Sequence, residues 1–208
     1  MTTGVRRHPC SREADLLDIL VVCTANIGRS PLLAVLLQDH ADQRLGAGAV
    51  TVGSAGVDAP AGAAAAEGSR RVAAGWGLSL EDHRATPVRF APLDDVALIV
   101  TMTRRHRHIL SRHHERLEPL TFALRELVLA IEAIDDLQET LSAVQTPQAR
   151  LHAVITAADT QRPPTRLRRG LDVPDPVGGD QEVFRALGDE FTAAAAVIAD
   201  ALFGPEPE

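Results

Sequence analysis

Apolar and polar positions along the chain fall into short branched runs that alternate with longer helical patterns. Residues 16–22 (LLDILVV) are dense in branched apolar side chains, which predicts a buried strand. Pro31 then suits a first helical turn, and Leu32, Leu33, Val35, Leu36 and Leu37 make the helix that follows apolar on most sides. The pattern recurs, with a second strand predicted over 49–52 and an alanine-rich helix over about 61–74 that Gly75 and Gly77 end. Residues 96–102 (VALIVTM) predict a third strand, residues 104–112 a polar helix, and residues near 117–120 a weaker fourth strand. From about 123 to 160 the apolar residues recur at helical intervals, enough for two or three helices. A Pro- and Arg-rich linker follows over 162–170, and a last helix over about 181–202. Strands alternating with helices predict an α/β fold of three layers: a four-stranded parallel sheet with helices on both faces, plus the helical insertion. Ligands of such sheets bind at the carboxyl ends of the strands, where Cys23 falls.

Composition narrows the chemistry. With 208 residues and 45% hydrophobic content, a single domain over 15–208 is expected, preceded by a loose tail over 1–14. The net charge of −7 argues against nucleic-acid binding, and no run is apolar and long enough to cross a bilayer. Only Cys10 and Cys23 are present, too few for a disulfide framework, so a reducing, cytoplasmic setting is expected. All 21 basic residues are arginine, which removes Schiff-base catalysis from consideration.

The segment Cys23, Thr24, Ala25, Asn26, Ile27, Gly28, Arg29, Ser30 joins a strand to a helix N-terminus. A loop so placed can turn successive N–H groups inward as an anion cradle, and its field favours the thiolate of a cysteine at the centre. Arg29 offers a bidentate grip on phosphate oxygens, and Ser30 a hydroxyl to the sulfur. Cys-x5-Arg alone is a weak signal; the preceding strand, the Ser-Pro start of the helix and the central asparagine strengthen it.

With these residues on view the chain resembles the low-molecular-weight protein tyrosine phosphatase family. The resemblance rests on residues 22–31, on Ser54-Ala55-Gly56, on Gly77-Leu78 through His83-Arg84-Ala85, on residues 99–102 and on Asp175-Pro176. It implies a phosphocysteine intermediate on Cys23, phosphate binding by Arg29 with the loop residues Thr24, Ala25, Asn26, Ile27, Gly28 and Ser30, and Asp175 as general acid. Ser54 and His83 are implied as supports of Asn26. The implied partners are a phosphorylated protein or small phosphoester and the inorganic phosphate product, with no cofactor and no metal. Gly28 stands where most relatives carry a second, protective cysteine, and Val177 where an aromatic residue lines the phosphotyrosine slot.

Two other clusters read as solvated surface. His106, His108, His113 and His114 lie among arginines, which disfavours a metal and favours an exposed helix face; the arginines over 162–169 read as an exposed linker. Among alternatives, an arsenate reductase needs relay cysteines downstream of Cys23, which this chain lacks. An arginine phosphatase is a closer rival, although Ile27 favours an ester substrate. A non-catalytic phosphate sensor would need neither thiolate nor acid.

Overall fold

The computed structural model describes residues 18–94, 96–142, 144–164 and 170–206. The predicted tail over 1–14 and Cys10 lie outside them. Four strands, β1 (Ile19–Cys23), β2 (Val52–Gly56), β3 (Leu98–Thr101) and β4 (Thr121–Ala123), form one sheet in the order β2-β1-β3-β4. Every pairing is parallel. β1 is central, and its alternation divides the core. Ile19, Val21 and Cys23 face one layer, while Leu20 and Val22 face the other. Because both faces are covered, the central strands read as continuous apolar runs.

The larger layer contains α1 (Arg29–Leu45), α2 (Glu67–Gly75), α4 (Leu124–Glu132), α6 (Pro147–Thr160) and α7 (Gln181–Phe203). The short α5 (Leu137–Leu141) contributes Leu141 to the same core. α3 (Arg104–His113) covers the opposite face, where Leu110 joins Leu20, Val22 and Ile99.

Three expectations shift. β2 begins at Val52 rather than ending there, α2 begins at Glu67 rather than near 61, and β4 lies at Thr121–Ala123 rather than 117–120, a stretch that overlaps a short 3-10 turn. Parallel pairing decides the first, since Ile19 pairs with Val52 and Cys23 with Gly56. Of the helical segment over 123–160, α6 buries Leu151, Val154, Ile155 and Ala158 and is part of the common core. Arg162 is no exposed linker residue. Its guanidinium stacks 3.6 Å from the Phe122 ring centroid, lies 3.5 Å from buried Glu126, and donates to the carbonyls of Thr121, Glu118 and Pro119. The rest of that cluster, 165–169, lies outside the described residues.

Candidate active site

The loop between β1 and α1 is built by fixing its carbonyls outward. Cys23 and Thr24 carbonyls accept from the N–H groups of Val57 and Asp58, at 3.0 and 2.9 Å. The Ile27 carbonyl accepts from Ala66 N–H at 2.7 Å, and that of Gly28 from the Ser69 hydroxyl at 3.1 Å. His83 Nε2–H donates to the Asn26 carbonyl at 2.7 Å. With its carbonyls tied to the surroundings, the loop has its N–H groups left to serve its concave side. Gly56 is required here, since a Cβ at that position would lie 2.5 Å from the Thr24 carbonyl oxygen.

Asn26 is the organising side chain. It is fully buried and adopts the left-handed region at φ 55°, which asparagine tolerates better than most residues. Its Nδ2 donates to Ser30 Oγ at 2.9 Å and Ser54 Oγ at 2.8 Å, and its Oδ1 accepts from Thr86 N–H at 2.8 Å. Ser30 Oγ therefore receives a hydrogen from Asn26 and has its own to give. Cys23 Sγ lies 3.0 Å away, against 3.4 Å to the Ala55 carbonyl. Asn26 N–H also reaches Cys23 Sγ at 3.2 Å. The sulfur sits buried between two donors.

Arg29 is nearly buried, and its two terminal nitrogens reach across to the loop before α7: Nη1 to the Val173 carbonyl at 3.0 Å and Nη2 to Asp175 Oδ2 at 2.7 Å. Asp175 itself is half exposed. Its loop is held by Val173 N–H on the Met102 carbonyl at 2.8 Å and by Arg104 N–H on Asp172 Oδ1 at 2.8 Å. A further clamp, invisible in the sequence, is Arg125 of α4. It pairs with Glu190 and donates to the carbonyls of Gly170 and Asp172 at 2.7 and 3.1 Å.

All the candidate residues named from the sequence thus converge: the loop 23–30, Asp175 facing Arg29, and Ser54 and His83 against Asn26. Burial depresses the pKa of His83, the hydrogen bond to Asn26 opposes this, and nearby Arg84 adds to the depression. Ile27 and Val177 both line a cavity of about 330 Å³ beside the loop, and Val177 is 54% exposed. Position 177 itself is not aromatic, but Phe184 of α7 lines the same cavity. Ser69 and Thr86 were not legible, since a lone serine or threonine in a polar stretch carries no signal.

His106 corrects the reading of the histidine cluster. His108 and His114 are exposed, but His106 is only 4% exposed and its Nε2 lies 2.9 Å from Thr24 Oγ1. The reason is topological: α3 starts directly after β3, neighbour of β1, so its first turn abuts the loop that leaves β1. Burial, aided by the positive charges of Arg29 and Arg105 and opposed by Asp172 and Asp175, lowers its pKa to about 4.

A loop with these contacts at the end of the central strand defines a phosphate-handling enzyme, and comparison agrees. The sequence profile of the low molecular weight phosphotyrosine protein phosphatases matches residues 18–139, and the chain belongs to that family. It is 26% identical over 184 residues to a protein-arginine-phosphatase of Geobacillus stearothermophilus, covering 88% of this chain and 95% of that one. It is 39% identical over 89 residues to the low molecular weight protein-tyrosine-phosphatase Wzb of Escherichia coli K12, 43% of this chain and 56% of that one. Among solved structures, a low molecular weight protein tyrosine phosphatase from T. tengcongensis superposes with TM-score 0.63 at 22% identity, covering 88% of this chain and 98% of that one. The protein is a phosphatase, a hydrolase of this family.

Proposed function

We propose that the protein hydrolyses phosphotyrosine in proteins through a phosphocysteine intermediate, with Cys23, Arg29 and Asp175 as catalytic residues. The observation that carries this reading is the setting of Cys23 Sγ, 3.0 Å from Ser30 Oγ and 3.2 Å from Asn26 N–H at the floor of the loop. Cys23 attacks phosphorus as thiolate. The bond from phosphorus to the leaving oxygen breaks, and Asp175 gives that oxygen its proton. Water then attacks the phosphocysteine, Asp175 takes a proton from it, and the S–P bond breaks to release inorganic phosphate. The Ser30 hydroxyl stabilises the departing sulfur, while Arg29 exchanges Asp175 for two phosphoryl oxygens and neutralises charge in the transition state.

No step requires a metal or a cofactor, and the reaction suits a single domain in the cytoplasm acting on phosphorylated proteins. Among the described residues no helix is long and apolar enough to cross a membrane. The apolar Ile27 at the loop favours an aryl ester over a phosphoguanidinium group. The arginine reading retains one specific support, the relative that matches along 88% of this chain. Hydrolysis of a phosphotyrosine peptide and a phosphoarginine peptide, each with chelator present, decides between them. The reading expects the first to be hydrolysed faster; faster release from phosphoarginine overturns it in favour of the second.

A further inference from the structure

Thr24 follows the proposed nucleophile directly and is solvent-exposed at the mouth of the loop, yet its side chain is not free to turn. Its carbonyl is bound to Asp58 N–H at 2.9 Å, and its hydroxyl oxygen lies 2.9 Å from His106 Nε2. His106 is held in turn by its own backbone N–H on Thr103 Oγ1, at 3.2 Å, where Thr103 caps α3. The Nδ1 atom of His106 is buried and has no hydrogen-bond partner among the described residues.

That orphan atom settles the direction of the contact. A neutral imidazole carries one N–H, on either nitrogen. If Nδ1 carried it, a buried donor would have no acceptor, and such donors are rarer than unmatched lone pairs in folded proteins. If Nε2 carries it, the donor is satisfied by Thr24 Oγ1 and Nδ1 keeps only an unmatched lone pair. The groups around the ring keep it neutral near physiological pH: Arg29 and Arg105 oppose a third positive charge, burial does so more strongly, and Asp172 and Asp175 only partly offset them. With Nε2–H donating to its oxygen, the Thr24 hydroxyl has its own hydrogen to give. A phosphoryl oxygen bound in the anion cradle is an acceptor of the right kind for it.

We propose that His106 is a positioning residue that orients Thr24 so that the Thr24 hydroxyl donates a hydrogen bond to the bound phosphoryl group. The side chain thereby adds one donor to the backbone N–H groups and Arg29, and it does so on the side of the loop facing α3. The inference rests on the phosphatase reading of the loop, and its test is separable from that reading.

The test measures affinity for inorganic phosphate in the Cys23→Ser protein, which needs no turnover. Failure of Cys23→Ser itself to bind phosphate would strike the cradle reading as a whole. Given binding, Thr24→Val and His106→Leu each weaken it about ten-fold, the value of one hydrogen bond to a charged acceptor. The double variant is no weaker than either single one, because both remove the same bond. Thr24→Ser restores affinity. Should His106→Leu fail to fold, Thr24→Val and Thr24→Ser carry the comparison alone, and nitrogen NMR of the imidazole in the unaltered protein reads the tautomer. Unchanged phosphate affinity in Thr24→Val, additive losses in the double variant, or a proton on Nδ1 overturns the proposal.

Discussion

The guanidinium of Arg29 lies 2.7 Å from the carboxylate of Asp175, which stands 146 positions further along the chain. This contact joins the two ends of the proposed catalytic machinery. A phosphoryl group that takes the Arg29 fork arrives beside the carboxylate proposed to serve the leaving oxygen.

Asp175→Asn removes the proposed proton donor and keeps the shape of the side chain. Turnover of alkyl phosphates and of phenols with high pKa falls about 10²-fold or more, while esters of acidic phenols are affected far less, since their leaving groups need little protonation. A series of aryl phosphates of graded leaving-group pKa measures this. Equal losses across the series assign the acid role to another group.

Asn26 concentrates three side-chain hydrogen bonds in a buried, left-handed residue. Asn26→Ala leaves Thr86 N–H without its partner, releases Ser30 and Ser54, and places an alanine where it is disfavoured. Urea denaturation is expected to show a loss of about 2 to 4 kcal/mol. A loss under about 0.5 kcal/mol, the range of an ordinary surface change, contradicts the network.

Much of this architecture was legible beforehand. The runs at 19–23 and 98–101 are branched and apolar because their strands are covered on both faces, and such burial leaves an unbroken signal. β2 left a weaker trace. Ser54, which accepts from Asn26, and Gly56, which passes against the Thr24 carbonyl, are dictated by the loop and not by strand propensity, so the apolar run just before them carries the stronger strand signal. Residues 61–66 are alanine-rich as a helix would be, but Ala66 N–H is used by the Ile27 carbonyl and the helix starts only afterwards. His106 was hidden by its polar neighbours Arg104, Arg105, Arg107 and His108. His106 alone among them turns inward to Thr24, and only tertiary placement reveals it. The same holds for Arg125, whose clamp on Gly170 and Asp172 spans 45 and 47 residues.

Stability is expected to fall with acid through the histidines. The folded pKa values of His106, His83 and His40 all lie below the ordinary 6.5, chiefly through burial. The unfolded chain therefore binds protons first as pH drops below 6.5, so the contribution is full above that value and is lost toward pH 4, where His106 titrates in the fold. His106 faces Arg29, Arg105, Asp172 and Asp175, and accounts for up to about 3 kcal/mol of the loss at roughly 1.4 kcal/mol per pKa unit. His106→Leu flattens the dependence between pH 6.5 and 4 in denaturation midpoints. An unchanged slope in that variant contradicts the assignment.

Gly28 leaves Cys23 without a neighbouring thiol in the loop, and among the described residues Cys23 is the one cysteine. Peroxide carries a catalytic thiolate to sulfenic acid and onward unless a second thiol captures it. Recovery with dithiothreitol is expected to be poor in the native protein and improved by Gly28→Cys. The substitution fits: a Cβ there meets Val177 Cγ2 at 3.7 Å and Pro176 Cγ at 3.8 Å, ordinary contact distances. A disulfide between Cys10 and Cys23 with full reactivation of the native protein contradicts this expectation.

The central claim is that Cys23 carries the phosphoryl group during turnover, and rapid acid quench of the Asp175→Asn protein with an activated aryl phosphate tests it most directly. In the proposed mechanism, removing Asp175 slows water's attack on the intermediate as well as leaving-group departure, so an activated ester is expected to let the adduct accumulate. Mass spectrometry of the quenched protein should find a phosphoryl group on the peptide containing Cys23, with none formed by Cys23→Ser under the same conditions during a comparable burst. Steady turnover by Cys23→Ser, or a phosphoryl group on any other residue, would contradict the account.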